Sequence, residues 1–318
     1  MGGLHLNNLY GRHCLTLQDF SAEEMNQILG MAAGLKDKQS KGVTHQLLAG
    51  KTLAMIFQKP STRTRVSFEV GMWQLGGMAL FLSSQELQMG RGEPIKDTAA
   101  VLSRYVDGIM IRTFDHEEVE ELALHASVPV INGLTDLLHP CQVLADLMTI
   151  KERFGRLKGI KLAYLGDGNN VAHSLMLGCT KMGLDVAVGA PPGYLPNARI
   201  EEKARGNTLE SGSRLLITSD PLQAVENADV IYTDVWASMG QEAEKQARRE
   251  VFSSYQVNSG ILDMAAPGAV IMHCLPAYRG EEISSEVLDG ERSIVLEQAE
   301  NRLHAQKGLM ALLIGENL

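Results

Sequence analysis

The amino-acid sequence predicts an α/β protein: two doubly wound parallel-sheet domains joined by a helix, with the last helix packing back on the first domain. Three observations predict it. Short apolar runs alternate with helix-like segments along most of the chain, the pattern of strand–helix–strand units. The helix-like segment Val143–Arg153 runs into FGRLKG and a fresh strand begins at Lys161, which marks a boundary. The length, 318 residues, suits two domains at roughly 100–200 residues each. The expected division is 1–148 and 149–318, with the last helix, about 299–318, returning to the first domain.

Taken in order, Thr52–Phe57 (TLAMIF) reads as a buried strand, being a short apolar run with no helical period. Gly108–Ile111, followed by Arg112, and Val128–Ile131 read likewise. In the second half the strand candidates are Lys161–Leu165, Asp185–Val188, Leu215–Ile217, Val230–Tyr232 and Val270–His273. Helical spacing appears in Val66/Val70/Trp73 and in Leu144/Leu147/Met148. Glu300–Leu313 is a final helix pattern. The charged run Gln241–Glu250 reads as a solvated helix face or a mobile lid.

Composition narrows the function. Lys plus Arg number 29 and Asp plus Glu 38, a net charge of −9. That surface argues against nucleic acid or an anionic membrane as partner, while leaving room for a local basic pocket. No stretch of about 18 apolar residues occurs to span a bilayer. Cys14, Cys141, Cys179 and Cys274 are far apart, so neither a zinc cluster nor a disulfide framework is expected. The first residues lack a basic region before an apolar core, and Leu6 stands where a myristoylation signal needs Ser or Thr. A cytoplasmic protein without metal or cofactor is expected.

Two segments carry the chemistry. In Phe57–Val70 (FQKPSTRTRVSFEV) a strand ends, Pro60 enforces an extended approach, and Ser61 is a good N-cap for the next helix. The N–H groups and dipole of a helix start favour an anion. Ser61, Thr62 and Thr64 add hydroxyl donors, and Arg63 and Arg65 add guanidinium forks suited to phosphate oxygens. The segment is not a P-loop, because G-x-x-x-x-G-K-[ST] is absent. In Leu165–His173 (LGDGNNVAH), Gly166 and Gly168 suit a strand-to-helix turn. A dinucleotide reading fails there: Val171 holds the third glycine position, and no acidic residue closes DVAVGAP. Asn169 and Asn170 instead present amides where ligands of open sheets sit.

STRTR (Ser61–Arg65), HPCQ (His139–Gln142), DVWASMG (Asp234–Gly240) and HCLP (His273–Pro276) occur in that order, supported by IKDTA at Ile95–Ala99 and AENR at Ala299–Arg302. Through these motifs the chain resembles the aspartate/ornithine carbamoyltransferase family, from about Leu15 to Leu313. The resemblance implies transfer of the carbamoyl group of carbamoyl phosphate to the δ-amine of L-ornithine, giving citrulline and phosphate. It implies a carbamoyl phosphate site of Ser61, Thr62, Arg63, Thr64, Gln85, Arg112, His139, Pro140, Cys141 and Gln142, with Cys274, Leu275 and Arg302 where the two ligands meet. It implies ornithine binding by Asn170, Asp234, Ser238 and Met239, and a homotrimer or a multiple of trimers.

These residue types suit that chemistry. A dianionic leaving group needs cations and N–H donors that bind more strongly as charge develops. Arg112, His139 and the Thr64 hydroxyl suit an oxyanion hole, and Gln142 suits the carbamoyl NH₂. The δ-ammonium, with a free pKa near 10 (about 10.4 for a lysine), must lose a proton before attack. Asp234 suits its orientation. Cys274 is a candidate acceptor of that proton if cations stabilise its thiolate, and the departing phosphate is another. Related acceptors (putrescine, acylated ornithine) and a catalytically silent two-domain sensor are the alternatives.

Overall fold

The computed structural model describes residues 8–83, 92–237 and 242–316. The chain divides into two compact units, Met1–Met148 with Asn301–Leu318, and Thr149–Glu300.

In the first unit, β1 (Thr52–Phe57), β2 (Met78–Ser83), β3 (Gly108–Arg112) and β4 (Val130–Leu134) form a parallel sheet in the order β2-β1-β3-β4. Helices α1 (Ala22–Ser40), α2 (Thr62–Gln74), α3 (Ile95–Leu102), α4 (His116–His125) and α5 (Pro140–Phe154) belong to this half of the chain. Strand β1 is buried from Leu53 to Phe57, which explains its unbroken apolar run. One face of the sheet packs Ala54, Ile56, Ile109, Ile111 and Val130 against Val119 and Leu122 of α4. Each such large aliphatic side chain contributes about 1.5–3 kcal/mol by leaving water.

In the second unit, β5 (Lys161–Leu165), β6 (Asp185–Gly189), β7 (Leu215–Thr218), β8 (Val230–Thr233) and β9 (Val270–His273) form a parallel sheet in the order β7-β6-β5-β8-β9. Its helices are α6 (Asn170–Lys181), α7 (Ala198–Ser211), α8 (Pro221–Val225), α9 (Lys245–Phe252), α10 (Ser259–Asp263) and α11 (Ser285–Leu288). Leu165, Ile231 and Ile271 from three strands pack with Val257, Ile283 and Val287. The last helix, α12 (Val295–Ile314), begins in this unit and belongs to the first from Asn301 onward. There it lies close on α2 and α1: a Cβ on Gly71 would come within 2.9 Å of Met310, and one on Gly308 within 2.8 Å of the Ile28 carbonyl oxygen.

The topology places the functional turns. Strand order reverses between β1 and β3 in one sheet and between β5 and β8 in the other. At such a switch point the loops leave in opposite directions and open a crevice at the strands' carboxyl ends. The turns after β1, β5 and β8 carry Ser61, Asn169 and Asp234, respectively, and Arg112 ends β3.

Three expectations are corrected. Strand β2 was not foreseen: it is an edge strand whose Met78, Leu80 and Phe81 are exposed, so it lacks a buried alternation. The strand expected at Val128–Ile131 begins at Val130 and runs to Leu134. Helix α2 forms, but the Val66/Val70/Trp73 stripe is not its inner face. Val66 is 50% and Trp73 76% exposed, while Thr64, Phe68, Gly71 and Met72 are buried.

Candidate active site

In the first unit the site begins at the cap of α2. Ser61 is extended, with φ −163°, and its Oγ accepts from the Thr64 N–H at 3.2 Å. Its own hydroxyl donates to Thr64 Oγ1 at 3.0 Å. The cap therefore fixes two of the hydroxyls at a helix start suited to an anion. Just before it, Lys59 is buried, pairs with Asp136 and lies 4.3 Å from the centre of the Phe114 ring. That cation ties the β1–α2 turn to the loops that follow β3 and β4.

Arg302 of α12 reaches the same place. One guanidinium N–H donates to Thr64 Oγ1 at 3.3 Å, and another donates to Gln142 Oε1. Gln142 in turn donates from Nε2 to Asp146 Oδ1 at 2.8 Å. Arg112, at the end of β3, and His139, just before α5, are both buried. Burial holds the His139 imidazole well below its usual range, and Arg302, Arg112 and Arg63 push the same way. His139 is thus a neutral ring among three guanidinium groups, suited to polarise a carbonyl by hydrogen bonding. Cys141 is different in kind. Its thiol is buried against the Asn132 carbonyl oxygen at 3.4 Å, and burial pushes it up to about 12.

In the second unit the turn after β5 is held by close backbone approach. A Cβ on Gly168 would sit 2.4 Å from the Pro196 nitrogen. This lets Asn169 cap α6, its Oδ1 accepting from the N–H groups of Val171 at 3.0 Å and Ala172 at 3.2 Å. Its Nδ2 donates to Asp234 Oδ2 at 2.9 Å. The other oxygen of Asp234 accepts from the Val235 N–H at 2.8 Å and from Cys274 Sγ at 3.0 Å. Leu275 adopts a left-handed backbone, φ +56°, which costs a non-glycine residue about 1–2 kcal/mol. Its N–H donates to His273 Nδ1 at 2.8 Å, and the ring's Nε2 lies 3.2 Å from Glu282 Oε1. Donor atoms of Asp234, His273 and Cys274 lie within 4.8 Å of one another, all engaged in these hydrogen bonds.

Two family models match the chain. That of the aspartate/ornithine carbamoyltransferase carbamoyl-P binding domain covers residues 12–152, and that of the Asp/Orn binding domain covers residues 158–313. The chain belongs to the aspartate/ornithine carbamoyltransferase family. A Carboxydothermus hydrogenoformans protein named ornithine carbamoyltransferase is 58% identical over 305 residues, 96% of this chain and 98% of that protein. A Pyrococcus furiosus protein named ornithine carbamoyltransferase, anabolic, is 58% identical over 308 residues, 97% of this chain and 98% of its own. The solved ornithine carbamoyltransferase of Pyrococcus furiosus matches with a TM-score of 0.94 at 59% identity, covering 96% of this chain and 98% of that one. That of Thermus thermophilus matches with a TM-score of 0.84 at 40% identity, covering 95% and 98%.

Within this carbamoyltransferase the sequence-derived candidates fall into two groups. Thr64, Gln142 and Arg302 are joined by hydrogen bonds, with Ser61 capping the same helix and Arg63 and Arg112 bearing on His139 through their charge. Asp234 and Cys274 touch in the second unit, with Leu275 next to them and Asn170 opening α6. Thr62 is the first residue of α2 and Pro140 the first of α5, where its missing N–H costs nothing. Gln85, Ser238 and Met239 lie outside the described residues. Arg65 turns away from the helix start: its Nε donates to Glu69 at 2.9 Å, and its guanidinium lies 3.8 Å from the centre of the Phe81 ring on β2. Cys274 has a carboxylate beside it, and its thiol donates to Asp234 Oδ1.

Sequence reasoning missed Asp146 and Lys59; of the two amides it named after β5, Asn169 makes the contact with Asp234. It also missed Arg248. This side chain is buried in the run read as a solvated helix face or a mobile lid. It donates to Asp167 at 2.7 Å, to the Trp236 carbonyl oxygen at 2.9 Å and to Glu244 at 2.9 Å. The D-G-N-N turn itself was the available signal, since a buried acid in a turn calls for a cation.

Proposed function

We propose that this chain transfers the carbamoyl group of carbamoyl phosphate to the δ-amine of L-ornithine, yielding L-citrulline and phosphate. The observation that carries the reading is the 58% identity, over 96% of the chain, to a protein named ornithine carbamoyltransferase. In the step itself the neutral amine attacks the carbamoyl carbon, the carbon–oxygen bond to phosphorus breaks, and phosphate leaves with the electron pair. The δ-ammonium loses one proton before that attack, and the nitrogen loses a second as the new carbon–nitrogen bond forms, which the departing phosphate takes up.

The first unit is the carbamoyl phosphate half of this assignment. Ser61, Thr62, Arg63 and Thr64 hold the phosphate, with Gln85 and Arg112. His139, Arg112 and Arg302 draw on the carbamoyl oxygen, and the segment His139–Pro140–Cys141–Gln142 frames the carbamoyl group. The second unit is the ornithine half. Asn170, Asp234, Ser238 and Met239 grip the amino acid, and Cys274 with Leu275 faces the amine. The hydrogen-bonded row Asn169–Asp234–Cys274 supports this reading, because it presents a fixed carboxylate to an ammonium group.

We further place the chain in arginine biosynthesis in the cytoplasm, as a homotrimer. The described residues include no helix long and apolar enough to cross a membrane. The trimer reading is supported by large apolar side chains left exposed on the first unit: Val66 and Trp73 on α2, and Met78, Leu80 and Phe81 on edge strand β2. Colorimetric citrulline detection tests the activity. Product is expected only when both substrates are present. Thermal stabilisation by both ligands without product would instead make the chain a silent sensor.

A further inference from the structure

Asp146 is fully buried one turn beyond Gln142 on α5, at the i+4 position. Its Oδ1 accepts from Nε2 of Gln142 at 2.8 Å. An exposed pair of this kind adds only a few tenths of a kcal/mol to a helix. Burying an acid for so small a return calls for another role. A carboxylate accepts and does not donate, so it takes the NH₂ end of the Gln142 amide. On the other side, Oε1 of Gln142 meets the Arg302 guanidinium, which donates and cannot accept. Both ends of the amide are therefore specified by groups of single polarity, and the flipped amide would set donor against donor and acceptor against acceptor.

We propose that Asp146 is a positioning residue that sets specificity: it fixes the Gln142 amide with its oxygen on the Arg302 side, so that the first unit selects an acyl phosphate bearing NH₂ over one bearing methyl. The proposal rests on the reading that this unit binds carbamoyl phosphate. An amide oxygen has two lone pairs. Arg302 uses one, and the second accepts from a carbamoyl N–H. Acetyl phosphate has the same phosphate and carbonyl but offers a methyl group, which leaves that buried acceptor unpaired. Sites built to accept from a ligand N–H reject analogues that lack it more strongly than sites reading shape alone. Asp146 touches no ligand in this account and acts through Gln142.

Calorimetry on the full chain, without ornithine, tests this with carbamoyl phosphate, acetyl phosphate and inorganic phosphate. The variants are Asp146→Asn, which keeps the shape but both donates and accepts, and Asp146→Leu, which removes the acceptor. The wild-type chain is expected to prefer carbamoyl over acetyl phosphate. That preference should fall severalfold in Asp146→Asn and about tenfold in Asp146→Leu, as loss of one oriented hydrogen bond implies. Inorganic phosphate affinity should stay within about twofold, because the amide does not read phosphate. An unchanged preference in Asp146→Asn overturns the proposal. So does an equal loss for all three ligands, which marks a merely structural role. The Asn variant carries the test if the Leu variant does not fold. Failure of the wild-type chain to make citrulline counts against the transfer reaction and leaves this binding comparison standing.

Discussion

Arg302 is central to the proposed carbamoyl half of the site, because one guanidinium spans Thr64 and Gln142. Replacing it, Arg302→Gln, should lower kcat by roughly 10²–10³, the cost of losing one donor aimed at developing negative charge. Steady-state kinetics with the folded variant reads this directly. His139 gives a pH prediction. Its folded form resists protonation, while the unfolded chain takes up a proton below about 6.5. The unfolded state therefore binds more protons, so stability is full above that pH and falls as pH drops beneath it. Urea unfolding from pH 7 to pH 5 should show that fall, and His139→Gln should show less of it. The thiols make a third case. Cys14, Cys141 and Cys179 are buried and Cys274 is not, so brief alkylation of the native chain at pH 8 should add one label, at Cys274, by mass spectrometry. At this scale the sequence announces residue types in motifs but not their partners. Asp146, and the partner of Asn169, emerge only once rotamers and helix turns put an amide 2.8 and 2.9 Å from a carboxylate.

Elements were more legible than residues. Buried strands such as β1 and β9 carry unbroken apolar runs, and a run of that length between turn residues has few other readings. The edge strand β2 has one unpaired side and exposed apolar groups, so no period marks it. Helix α2 shows the limit of periodicity. Apolar spacing at Val66, Val70 and Trp73 announces a helix, yet the buried face includes Gly71, where α12 comes close, and spacing does not say which stripe meets a neighbour. The turn between β5 and α6 needs Gly166 for its φ of +143° and Gly168 for space. Gly168→Ala would drive a Cβ to 2.4 Å from the Pro196 nitrogen, a backbone atom that has little room to yield. Destabilisation of about 1–3 kcal/mol is expected by urea unfolding, with ornithine affinity weakened in the same variant.

At the scale of the whole molecule, each of the two sheets reverses its strand order once, and the proposed ligand halves are assigned to those two points. The exposed apolar side chains of α2 and β2 are where the proposed homotrimer would find a neighbour. Trp73→Glu should therefore shift sedimentation from trimer towards monomer while leaving the fold intact, since Trp73 is 76% exposed in the single chain. The transfer reaction remains the centre of the account. Its most direct measurement is kcat/KM for the wild-type chain with carbamoyl phosphate and, side by side, ornithine, putrescine, acetylornithine and aspartate as acceptor. Ornithine is expected to exceed each of the others by about a hundredfold or more, because a site built to pair polar groups on a substrate rejects analogues that leave them unpaired. Turnover of aspartate or putrescine at a rate equal to that of ornithine, or no carbamoylated product from any acceptor, would contradict it.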